Sequence, residues 1–126
     1  MDTLPKIMII EDDALMRSLL ETLLQLEGYC VVQADKERDV EEIIATMRLE
    51  KPALVLMDVH LQSPQVDGFD LLNRIRNDRE LTSTRVLLSS GADYLQRSHE
   101  AGADGFIMKP YMPDELVGKI QQALGA

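Results

Sequence analysis

A single cysteine, Cys30, leaves this 126-residue chain without a partner for an intrachain disulfide. It lies in the apolar, strand-like run 29–32, where a buried and inert thiol is expected. Histidine is nearly as scarce, and His60 and His99 have no partner at metal-ligand spacing, which argues against zinc. No apolar stretch approaches the roughly 20 residues of a membrane span, and the N-terminus lacks the charged-then-apolar pattern of a signal peptide. A cytoplasmic location is the simplest expectation. Positive charge is also short: 13 Lys and Arg stand against 22 Asp and Glu, a net charge of −9. Such a balance opposes nonspecific attraction to DNA, RNA or anionic membranes. It serves solubility, or else marks a cluster of acids at a site or docking face. Repeats, low-complexity segments and composition shifts are missing too, so one domain over residues 1–126 is expected.

What the chain does contain is 45% hydrophobic residues arranged in short runs. That content suits one compact core burying roughly two thirds of the unfolded surface. Three of the runs stop abruptly at chemically useful groups. Ile7 to Ile10 ends in Glu11-Asp12-Asp13, Leu54-Val55-Leu56-Met57 ends in Asp58, and Phe106-Ile107-Met108 ends in Lys109-Pro110. Between the runs, apolar residues recur at three- and four-residue spacing: Met16, Leu19, Leu20, Leu23 and Leu24 before Gly28, then Val40, Ile43, Ile44 and Met47 before Pro52. Phe69, Leu72 and Ile75 predict a third helix, and Leu116, Val117, Ile120 and Leu124 a last one with Pro113 in its first turn. Residues 62–68 are polar, contain Pro64 and Gly68, and are expected to form a loop. Strand four is expected at 86–88, and only about two turns of helix at 94–101. The methionines at 8, 16, 47, 57 and 108 fall within these patterns and are expected in the core.

Five strand–helix units in alternation imply an α/β three-layer sandwich, a parallel five-stranded sheet with five helices on its two faces. Five units favour the flavodoxin-like order 2-1-3-4-5, whose switch point lies between strands one and three. Parallel sheets gather their ligands at the carboxyl ends of their strands. Glu11, Asp12 and Asp58 would then lie side by side with Lys109 in one crevice. Carboxylates bind a hard cation such as Mg²⁺, while an ammonium and the metal together neutralise phosphate oxygens.

In order, Ile9-Ile10-Glu11-Asp12-Asp13, Met57-Asp58, Ser89 and Lys109-Pro110, each at a strand end, resemble a two-component response-regulator receiver domain. Ala101-Gly102-Ala103-Asp104-Gly105-Phe106 is similar to the family's approach to strand five, and Asp67-Gly68-Phe69 to its entry into helix three. The resemblance covers essentially the whole chain. It implies that Asp58 is a phosphoacceptor taking a phosphoryl group from the phosphohistidine of a sensor histidine kinase or a histidine phosphotransfer protein. It further implies Mg²⁺, with Mn²⁺ as a substitute, held by Asp12 directly, Glu11 through water, Asp58, and the backbone carbonyl of His60. Ser89 would hydrogen-bond a phosphoryl oxygen, with Ser90 beside it as the alternative hydroxyl, and Lys109 would pair with the phosphoryl charge. Pro110 would carry a cis peptide. Asp13, one residue past the aligned acids, is read first as the N-cap of the helix that follows.

The chain departs from the family pattern in two places. Pro64 and Asp67-Gly68 lie about two residues farther from Asp58 than is usual, as if the loop carried an insertion. The stretch from Ser89 to Lys109 is conversely about two residues short, so helix four is expected to be short or to begin irregularly. Phe106 occupies the switch-aromatic position without a tyrosine's hydroxyl; it either turns inward when Ser89 moves or remains a half-buried strand residue.

The expected function is a signalling switch rather than an enzyme. Phosphorylation of Asp58 would alter the face made by helix four, strand five and helix five, and so its preference for a downstream protein or output domain. A phosphorylation-independent interaction module of the same fold is the alternative. A haloacid-dehalogenase-type phosphohydrolase fits less well, since that class's two aspartates flanking one residue after the first strand, and its cap domain, are not seen. A flavodoxin fits least, because the turn after strand one offers carboxylates where a phosphate needs hydroxyls and amides. The sequence ends at Leu124-Gly125-Ala126 without a DNA-binding segment, as a stand-alone receiver or one cut from a longer regulator would.

Overall fold

The computed structural model describes residues 4–33, 39–62 and 65–125. Among the described residues, seven strands and five helices follow in the order β1 Lys6–Ile10, α1 Ala14–Leu26, β2 Cys30–Gln33, α2 Val40–Glu50, β3 Leu54–Asp58, β4 His60–Gln62, β5 Gln65–Asp67, α3 Gly68–Arg76, β6 Arg85–Ser90, α4 Leu95–Glu100, β7 Gly105–Met108 and α5 Pro113–Leu124. Five of the strands form one parallel sheet in the order β2-β1-β3-β6-β7. Counted over those five alone, this is the expected 2-1-3-4-5 order with its switch point between β1 and β3. The difference in detail is β4 and β5, a separate antiparallel pair.

Strand alternation divides the core into two. Met8, Ile10, Val55, Met57, Val86, Leu88 and Phe106 pack with Ile43, Ile44 and Met47 of α2 and with Phe69, Leu72 and Ile75 of α3. Ile7, Ile9, Leu54, Leu56, Leu87 and Ile107 pack on the other side with Leu20 and Leu24 of α1 and Leu116 and Ile120 of α5. Because both faces are covered, β1 and β3 read as continuous apolar runs rather than as alternating ones.

The helix ends follow from local chemistry. The carboxylate of Asp13 accepts from Met16 N at 3.0 Å and that of Asp39 from Glu42 N at 2.9 Å, each satisfying an amide of a first turn. Asp13 is therefore the expected N-cap. Gly28, at φ +93°, lies just beyond the end of α1, and Pro113 opens α5.

Four expectations are corrected. Residues 60–62 and 65–67 form a hairpin and not a plain loop, with His60 paired to Asp67 and Leu61 to Val66; Pro64 lies outside the described residues. The buried pair Val59 and Leu61, alternating with exposed His60, supplies the strand period that turn-forming residues obscured. Cys30 is exposed, because β2 is an edge strand whose first residue lies at the rim of the core. Met108 is 43% exposed at the end of edge strand β7, and so leaves the set of core methionines. Phe106 is 5% exposed within the core and is not a half-buried rim residue. Among the described residues no helix is long and apolar enough to cross a membrane.

Candidate functional site

The site lies where β1, β3, β6 and β7 end. Glu11, Asp58, Ser89 and Lys109 each stand two residues beyond Ile9, Leu56, Leu87 and Ile107, all of which pack against α1 and α5. The two-residue period of a strand thus turns all four toward one side of the sheet's carboxyl edge. Register completes the placement: Asp58 lies directly opposite Ser89, and Ile10 opposite Met57, so Glu11 follows beside Asp58.

Lys109 is the centre of the cluster. Its Nζ donates to Glu11 Oε1 at 2.6 Å and to Asp58 Oδ2 at 3.1 Å. The two carboxylate side chains are 6% and 15% exposed, so the ammonium offsets charge that water reaches poorly. Burial alone would lower the pKa of Lys109, but hydrogen bonds and attraction from Glu11 and Asp58 outweigh it and hold the group above its usual range. Backbone groups fix the second oxygen of each acid: Asp13 N donates to Glu11 Oε2 at 3.1 Å, and His60 N to Asp58 Oδ1 at 3.3 Å. The Lys109–Pro110 peptide is cis.

Ser89 and Ser90 are both buried, and their surroundings differ. The Ser90 hydroxyl accepts from Ala92 N at 3.2 Å, which commits it to the turn after β6, whereas Ser89 is the residue paired with Asp58. Asp12 lies beyond the end of β1, one residue out of step with Glu11. Among the described residues no three acids, histidines or cysteines converge within reach of one metal ion. The expected ligands nevertheless share one chemistry. Glu11, Asp12, Asp58 and the His60 carbonyl offer only oxygen, which fits a hard cation that takes one or two carboxylates and keeps several waters.

Two contributors, Arg17 and Tyr111, escape sequence reasoning. Arg17 Nη1 donates to the carbonyls of Glu11 and Asp12, at 2.9 and 3.2 Å, and so ties the acidic turn to α1; one basic residue on a helix gives no signal of that. Tyr111 packs with the α1/α5 half of the core, and burial pushes its phenol pKa up against the pull of Lys109. Gly68 is needed for close approach. A Cβ there would lie 2.7 Å from the Asp58 carbonyl oxygen and 2.8 Å from Val59 Cα. The Asp-Gly pair before Phe69 was the signal available for it.

Comparison with known proteins gives a consistent result. The chain is 33% identical over 119 residues to the transcriptional regulatory protein PdtaR of Mycobacterium tuberculosis, covering 94% of this chain and 56% of that one. It spans about half the length of the curated relatives it matches. Among solved structures, a CheY-like response regulator receiver domain protein from Methanospirillum hungatei superposes with a TM-score of 0.82 at 31% identity, covering 98% of this chain and 95% of that one. The receiver domain of a sensor histidine kinase from Pseudomonas aeruginosa, 23% identical, shares the fold with a TM-score of 0.80 over 98% of this chain and all of that one; that structure holds a magnesium ion in its active-site cleft. The family model for the response regulator receiver domain matches residues 7–121, and this chain belongs to that family.

Proposed function

We propose that the chain is the phosphoacceptor switch of a two-component phosphorelay, with Asp58 as the residue modified. The observation that carries this reading is the ammonium of Lys109 shared between Glu11 and Asp58 at the carboxyl edge of the sheet. A carboxylate nucleophile meets an anionic phosphoryl group only where positive charge offsets both. The Asp58 oxygen would form the new O–P bond as the N–P bond of a phosphohistidine breaks, its electron pair returning to the imidazole nitrogen. Lys109 would move from Asp58 toward the phosphoryl oxygens while Glu11 keeps its other contact, and the Ser89 hydroxyl opposite Asp58 would donate to one of those oxygens.

Asp12, Asp58 and the His60 carbonyl, with Glu11 through water, would hold Mg²⁺, or Mn²⁺ in its place. Bound there, the ion supplies positive charge to the phosphoryl oxygens during transfer. The partners follow from the chemistry: a histidine kinase or histidine phosphotransfer protein upstream, and downstream a protein or output domain that reads the face of α4, β7 and α5. The chain would assist its own phosphoryl uptake and loss while acting as a switch in the cytoplasm.

Intact-protein mass after incubation with Mg²⁺ and acetyl phosphate tests the reading. A labile gain of about 80 Da, one phosphoryl group, is expected in the wild type and not in Asp58→Asn. Equal labelling of both proteins would refute Asp58 as the acceptor. No gain in the wild type, from either acetyl phosphate or a phosphorylated histidine phosphotransfer protein, would favour the phosphorylation-independent module.

A further inference from the structure

His60 faces two ways. Its backbone N–H donates to Asp58 Oδ1, while its imidazole Nε2 lies 3.2 Å from the Tyr94 hydroxyl in a hydrogen bond whose direction follows the tautomer. The two rings meet edge-on at 5.6 Å and 64°. Tyr94 occupies the N-cap position of α4, yet its side chain makes no capping bond. It reaches instead to the β4–β5 hairpin, and packs its ring edge against Phe69 of α3 at 5.6 Å and 79°. Arg97, one turn on, lays its guanidinium 4.0 Å from the centre of the Phe69 ring. A helix of six residues has little stability of its own, so these contacts fix where α4 begins.

One turn on, α4 is less well satisfied. Ser98 is 1% exposed, and among the described residues its hydroxyl is the one buried side-chain polar group without a hydrogen-bond partner. It borders a cavity of about 220 Å³ between α4, β7 and α5, lined also by Phe106 and Lys119. A buried hydroxyl left unpaired is penalised. The position of α4 thus combines a tie at its start with an unmet polar group and open space beneath it.

We infer that Tyr94 is a positioning residue that couples α4 to the acceptor segment through His60. The chain of contacts runs from the Asp58 carboxylate to the His60 backbone, through the imidazole to the Tyr94 hydroxyl, and into the first turn of α4. A group bound at Asp58 shifts His60 and therefore α4. By reciprocity, whatever fixes α4 alters binding at Asp58. The functional consequence rests on Asp58 being the acceptor; the tie itself exists in the unmodified protein and is tested there.

The experiment compares wild type, Tyr94→Phe, His60→Ala and the double variant. The first readout is hydrogen exchange at the Ser98 and Ala101 amides, which donate to the Tyr94 and Arg97 carbonyls at 2.8 and 2.9 Å. Loss of the shared hydrogen bond should speed exchange at both by about two- to fivefold in either single variant. The double variant should then be no faster than the faster single one, since both remove the same contact. The second readout is Mg²⁺ titration followed by amide shifts. Half-saturation should move by a similar factor in Tyr94→Phe, whose side chain is no metal ligand; a merely structural contact would leave it in place. Unchanged α4 exchange in Tyr94→Phe, or independent multiplying effects of the two substitutions, would overturn the inference. If the wild type takes up no phosphoryl group while the exchange pattern is as expected, the acceptor reading fails and the tie stands.

Discussion

Replacing Lys109 by methionine keeps most of the side chain's length and removes its charge. In the wild type Nζ lies 2.6 Å from Glu11 Oε1 and 3.1 Å from Asp58 Oδ2. Two oxygens sharing one ammonium at such distances are within about 6 Å of each other, and at an effective dielectric near 20 their charges repel by about 3 kcal/mol. Breaking a buried pair costs about 3–5 kcal/mol, and the lower end applies here because water reaches part of the cluster. The Lys109→Met variant should therefore be about 3 kcal/mol less stable at pH 7, read as a lower urea midpoint at constant slope. The alkaline limb belongs to the wild type. The ammonium is held above its ordinary value of 10.5, so its contribution is full below that pH and is lost as pH rises through the higher folded value. The variant has no such limb. Tyr29 is also pushed up by burial, but it titrates in both proteins and cancels in the difference curve, whereas Tyr111 does not cancel, because the Lys109 charge that pulls its phenol down is gone from the variant. A deficit under about 0.5 kcal/mol at pH 7 would refute the view that this ammonium holds two carboxylates together.

Two further substitutions test the surroundings. Gly68→Ala places a methyl group 2.7 Å from the Asp58 carbonyl oxygen and 2.8 Å from Val59 Cα, both main-chain atoms, so the end of β3 or α3 must shift. A loss of about 1–3 kcal/mol in urea denaturation is expected, with slower phosphoryl uptake; wild-type stability and rate would show that the approach is looser than drawn. Asp13→Ala should be about 1 kcal/mol less stable than Asp13→Ser, because serine can still accept from Met16 N. Both lose the same charge, so equal midpoints for the two would rule out the capping role.

The legible parts of the fold are those where burial and local chemistry agree. β1 and β3 are covered on both faces, so their apolar runs end abruptly at Glu11 and Asp58 and could be placed to within a residue. The caps at Asp13 and Gly28 and the opening of α5 at Pro113 are local signals that tertiary packing had no reason to override. Reading failed where a residue's setting is decided by position in the sheet. Cys30 and Met108 have core-like neighbours in sequence, but each lies on an edge strand, and which strands become edges depends on the whole topology. The hairpin after Asp58 failed for a different reason: Pro64 and Gly68 outweighed the Val59–His60–Leu61 alternation, which spans too few residues to count as a strand on its own.

The site separates along the same line. Which residues could take part followed from their position at strand ends, but which of them meet depends on parity. Glu11, Asp58, Ser89 and Lys109 keep step with Ile9, Leu56, Leu87 and Ile107, and this brings two acids onto one ammonium. Asp12 is out of step by one residue, and its turn is held instead through the carbonyl bond to Arg17. The resemblance already gives Glu11 and Asp12 different parts, and the strand gives them different positions. Glu11 therefore belongs to the charge balance around Lys109, and Asp12 lies one residue on, in the turn whose carbonyls Arg17 holds.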